Sequence, residues 1–180
     1  AAAEPCRGSG GAAAGARTVQ GANGRANVVS VALGPAAQLN LEGDTSLGGL
    51  TGGGVARLGS GATLNRGGSG LDGLFGGALT GQGSLAKVGG GVLTLSGASA
   101  LGGATQIAGG TLLVDGSLAS AALDVANGAS LGGSGTVAAP VQVAAGGHLL
   151  GTSGSTLGLG ALVLDSGASV DIGLAPPSSQ

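Results

Sequence analysis

The chain has 180 residues, 42% of them hydrophobic, a mean hydropathy of +0.48, and six basic against eight acidic residues for a net charge of −2. That is the length of one domain with ample apolar content for a core, which excludes a disordered chain, and the weak charge excludes nucleic acid or an anionic membrane as a partner. With 44 glycines and Phe75 as its single aromatic residue, the chain is also unlike an ordinary globular domain filled by bulky rings, whereas a solenoid needs only stacked Val, Leu, Ile and Ala.

In chain order, residues 1–27 are rich in Ala, Gly and Arg without periodic apolar positions and read as a flexible leader. The leader holds Cys6, the one cysteine, so neither an intrachain disulfide nor a cysteine metal cluster is expected, and a reactive thiol is the minor reading. Neither an initiator Met nor an apolar h-region opens it, so no signal peptide is expected. Residues 28–41 (VVSVALGPAAQLNL) offer two alternating runs broken at Gly34-Pro35, the pattern of a first coil or a cap. Residues 46–83 are less regular. LGSGATLN at Leu58 restores the pattern, but the 30 residues from Leu58 to Val88 exceed one coil, which predicts a loop or an extra strand near 67–77.

From Ser84 onward the runs VLTL, ATQI, TLLV and ALDV have strand period and alternate with glycine pairs and triplets, and no helix period appears. Apolar anchors at Val88, Ile107, Val125, Val143 and Leu164 are 19, 18, 18 and 21 residues apart, which is an internal repeat. The repeats run to Ile172, and residues 175–180 (APPSSQ) read as a linker, leaving 28–174 as the repeat domain. About 18 to 21 residues at roughly 3.3 Å each suffice for three short strands and three turns, with the next coil stacked about 4.8 Å above. Glycine at the fourth anchor position (Gly61, Gly128, Gly146, Gly167) suits a corner needing positive φ. The seventh position (Leu64, Leu131, Leu149, Val170) is predicted to stack inward, and the sixth (Thr63, Ser130, His148, Ser169) to point outward. No stretch reaches the roughly 20 apolar residues of a spanning helix. Tyr and Trp are absent, so no girdled barrel strands are expected either, and the chain has no direct membrane span.

GSLAKVGGGVLTLSGA, GGATQIAGGTLLVDGSL, LDVANGASLGGSGTV and VQVAAGGHL resemble the passenger-associated strand repeat of autotransporters, the type V secretion family of Gram-negative bacteria. The likeness is strong from about Gly81 to Leu174 and looser from Val28 to Thr80. It implies a right-handed parallel β-helix, exported across the outer membrane to the cell surface, with a carboxy-terminal β-barrel translocator that this chain does not contain. A structural stalk or adhesin-like display module follows, with host-surface or neighbouring-cell ligands as partners and no enzymatic activity. The alternatives are the spine of a larger autotransporter enzyme, with its protease or esterase domain elsewhere, and a calcium-binding β-roll. Scarcity of cysteine agrees with the resemblance. All six basic residues lie at or before Lys87, and Asp115, Asp124, Asp165 and Asp171 follow without a cation, which reads as a mildly acidic, solubilising surface.

Three motif matches need a chemical test. Gly67-Gly68-Ser69-Gly70-Leu71-Asp72-Gly73-Leu74 fits the calcium nonapeptide of β-rolls, but calcium there is held between successive copies, and one copy lacks most of the ligands. The same segment holds G-x-G-x-x-G from Gly68 to Gly73, which cradles a pyrophosphate only between a strand and a helix, and no helical pattern follows. Gly128-Ala129-Ser130-Leu131-Gly132 matches G-x-S-x-G, and His148, the only histidine, is expected beside Ser130 one coil on. A hydrolase also needs a strained elbow, an oxyanion hole and an oriented acid, which the repeat does not promise. No catalytic, metal or cofactor residue is therefore assigned from the sequence.

Overall fold

The structure is a computed structural model that describes residues 16–19, 30–68, 70–152 and 154–173. The described residues form 21 strands and no helix, every strand pairing is parallel, and the chain winds into a β-solenoid of about seven turns. Each coil contributes one strand to each of three sides. Side I runs from Ser30–Leu33 through Gly49–Gly52, Gly73–Phe75, Val92–Leu95, Gly110–Val114, Ala129–Gly132 and His148–Thr152 to Ser169–Gly173. Side II begins at Ala16–Val19 and Gln38–Leu41 and continues through Val55–Leu58, Ala78–Gly81, Ala98–Leu101 and Ser117–Ala119. Side III holds Thr45–Leu47, Thr63–Arg66, Ser84–Lys87, Thr105–Ile107 and Leu123–Val125. The strand Thr136–Val143 turns the corner from side II to side III without a break, and Gly158–Leu164 follows it one coil later.

Alternation of side chains along each strand fills the interior with columns of like residues. On side I, Leu93, Leu112, Leu131, Leu149 and Val170 are successive register partners. The predicted outward column Ser130, His148 and Ser169 lies beside them in the same register. On side III, Ile107, Val125, Val143 and Leu164 pair in turn, so the 18, 18 and 21 residue steps read from the sequence are true coil lengths. All four anchor glycines have positive φ, between 75° and 94°. The strands at 30–33 and 38–41 flank a turn closed by Ala37 N–H donating to the Gly34 carbonyl, as the break at Gly34-Pro35 predicts.

Three placements differ from expectation. The anchor at Leu58 belongs to the corner between sides II and III, whereas those at Val125 and Val143 belong to the corner between sides III and I. Leu64 therefore stacks on Leu85 and not in the Leu131 column. The long Leu58 to Val88 interval spans two different corners, and the loop expected near 67–77 falls between the strands Thr63–Arg66 and Gly73–Phe75. The partner of Ile107 is Lys87, not Val88: a lysine stem occupies the inward position, and Val88 starts the turn. Within the expected leader, Ala16–Val19 forms a parallel strand on Gln38–Leu41. The rest of the leader with Cys6, and the linker 175–180, lie outside the described residues.

The columns generate a neighbour test. Leu131 is fully buried and Ser130 beside it is half-exposed. Leu131→Asp places an unpaired carboxylate in the column and should cost several kcal/mol in urea melts, whereas Ser130→Asp should cost under about 0.5 kcal/mol.

Candidate functional site

Two regions carry the polar chemistry of the molecule. The first is inside. The side III column that is aliphatic at Leu47, Ile107, Val125 and Val143 holds Arg66 and Lys87 in adjacent coils, both fully buried. Their stems continue the aliphatic column and their heads reach the corner leading to side I. Gly73 occupies the place in the side I column that leucine takes at 93, 112 and 131, and a Cβ there would collide with the Arg66 Nη2. The guanidinium thus fills the inward space that a Gly73 side chain would take. Nη1 donates to the Gly48 carbonyl at 2.7 Å. Lys87 Nζ donates to the carbonyls of Val88 (3.0 Å), Gly89 (2.9 Å) and Gly109 (3.1 Å), which matches its three N–H bonds.

No carboxylate contacts either cation among the described residues. The nearby charge is Asp72, and its Oδ1 accepts from Val92 N–H at 2.7 Å. Burial pushes the Arg66 and Lys87 pKa values below their ordinary ranges. Lys87 is lowered further by Arg66, and Asp72 opposes the shift at both. The segment between Arg66 and Gly73 is where the calcium nonapeptide and the G-x-G-x-x-G match fall. It leads into the strand Gly73–Phe75, so the strand-to-helix context that the dinucleotide motif needs is absent. Asp72 is there a coil-to-coil staple. Asp44 accepts from Thr63 N–H at 2.9 Å and Asp115 from Ser134 N–H at 3.1 Å in the same way. Among the described residues no three His, Cys, Asp or Glu side chains gather as a metal site.

The second region is outside, on side I. Ser130 and His148 are register partners, as the sequence predicts, and His148 Nδ1 lies 2.8 Å from Asp171 Oδ2, in the next coil. The structure therefore supplies the orienting acid that sequence reasoning missed. Asp171 is 23 residues from His148, one 21-residue coil plus a diagonal step of two, so no simple repeat interval points to it. The rest of the hydrolase constellation does not assemble. Ser130 lies in mid-strand, paired on both sides, rather than at an elbow, and among the described residues no hydrogen bond joins its Oγ to His148. The His148–Asp171 pair is exposed, at 41% and 55%. It ties the last coil to its neighbour.

Open grooves of about 430 Å³ run along the outer face. One is lined by Gln106, Asp124 and Gln142, which stack in register on side III. No known protein family matches the chain, and no curated protein or solved structure matches it either.

The buried lysine sets a pH dependence. A cation whose folded pKa is depressed opposes folding while it stays charged, and the penalty is relieved as pH rises from that depressed value to the ordinary lysine value, about 10.4. Stability should therefore climb with alkaline pH over that window. Lys87→Met should flatten the climb in urea melts at stepped pH, while costing about 1 kcal/mol or more at neutral pH for carbonyls left without their donor.

Proposed function

We propose that the chain is a passenger module of the autotransporter kind, a stalk or adhesin-like display unit on the surface of a Gram-negative cell. What supports this reading is the repeat resemblance together with a β-solenoid whose side chains are spent on stacking. The observation that carries it is the pair of aliphatic columns, Leu93, Leu112, Leu131 and Leu149 on side I and Ile107, Val125 and Val143 on side III, in which each coil buries its inward residues against the next, the property of a spine built by adding coils.

In this reading the mechanism is display and contact rather than catalysis. Arg66 and Lys87 are buried, and the later coils carry Asp115, Asp124, Asp165 and Asp171 with no Lys or Arg, an acidic balance that favours solubility outside the cell. Host-surface or neighbouring-cell ligands would meet outward ladders such as Gln106, Asp124 and Gln142. A β-barrel translocator is the partner that would carry the module across the outer membrane. The test is to fuse the chain ahead of such a barrel, with an epitope at its amino terminus, in a Gram-negative host. Antibody should label intact cells, and external protease should remove the label. An epitope retained inside the cell would contradict the proposal.

A further inference from the structure

Arg66 and Lys87 are neighbours in one buried column, yet their donors fare differently. Every N–H of Lys87 has a carbonyl within reach. Arg66 has five donors, and among the described residues its Nε and Nη2 have no acceptor. Those two atoms form one edge of the guanidinium plane, with parallel N–H bonds, the edge that takes a carboxylate or phosphate by two hydrogen bonds at once. A packing role, in which the head fills the inward place at Gly73, accounts for the burial of Arg66 and not for the two unpaired donors. Unpaired buried donors of this kind call for an ion or a water, and two uncompensated cations favour an anion.

We propose that the Nε/Nη2 edge of Arg66, beside Gly73, binds a small oxyanion of the phosphate or sulfate class. Lys87 in the next coil adds a second positive charge, and Asp72, the carboxylate that both cations feel, is held on Val92 N–H. Solvent reaches the adjacent chain: Gly68, Gly70, Leu71 and Asp72 are exposed, and Gly73, against which the guanidinium packs, is half-exposed.

The test titrates inorganic phosphate into the full chain at constant ionic strength and follows thermal unfolding, with Arg66→Met beside the wild type. Methionine keeps an aliphatic stem in the column and removes the guanidinium. At phosphate tenfold above its Kd, the wild-type folding constant should rise about elevenfold and go on rising in proportion to phosphate, and Arg66→Met should show only the small rise that phosphate gives any protein. If Arg66→Met does not fold, Arg66→Lys serves in its place, since it keeps the charge but loses the two-donor edge, and binding should weaken at least tenfold. Asp72→Asn, by removing a nearby negative charge, should tighten phosphate binding. A wild-type rise no larger than that of the Arg66 variants would overturn the proposal, as would weaker binding to Asp72→Asn.

Discussion

Every feature of this molecule depends on parallel hydrogen bonding of each coil to the next in exact register. A one-residue slip would turn each inward leucine outward, because side chains alternate with period two. Register is therefore fixed by the columns themselves, Leu93, Leu112, Leu131 and Leu149 on one side and Ile107, Val125 and Val143 on another. Such a column buries aliphatic groups with almost no aromatic mass, which explains how a chain with one phenylalanine has a core at all. It also explains the glycines. Coils about 4.8 Å apart leave no room at many corners, and a Cβ on Gly77, Gly97 or Gly135 would collide with the carbonyl of the coil below.

Polar residues in such a stack serve the turns. Asp44, Asp72 and Asp115 each accept a backbone N–H from the following coil, and Lys87 caps three carbonyls from two successive corners. Arg66 stands apart because its donors outnumber the acceptors around it. A solenoid has no central cleft in which catalytic groups from distant strands converge, so chemistry must come from neighbours in a column. His148 and Asp171 show that such neighbours do meet. Ser130 in mid-strand shows what the flat sheet withholds, a strained turn with free N–H donors.

The repeat was legible in the sequence wherever an aliphatic residue recurred after a glycine corner. Ile107, Val125, Val143 and Leu164 show their column in the sequence because each is an aliphatic residue at a strand end one coil from the last, and the positive φ of Gly128, Gly146 and Gly167 follows from the same spacing. The pattern failed where side-chain chemistry and side-chain position separate. Lys87 lost to Val88 as an anchor because charge hides a four-carbon stem that packs as well as valine. Leu58 shares its local spacing with Val125 but turns a different corner, which only the long-range pairing decides. Arg66 filling the place of Gly73, and Asp171 reaching back to His148, join residues whose separation matches no repeat interval.

Oxidative cross-linking in a Cys6→Ser background tests the register most directly. Ser130→Cys with His148→Cys places two thiols on register partners 18 residues apart, about 4.8 Å between Cα atoms, within the span of a disulfide. Ser130→Cys with Leu150→Cys places them on the diagonal, at about 7 to 8 Å, beyond that span. The account predicts rapid, near-complete bridging for the first pair and little for the second. Equal bridging, or preference for the second pair, would mean that the coils do not stack in this register.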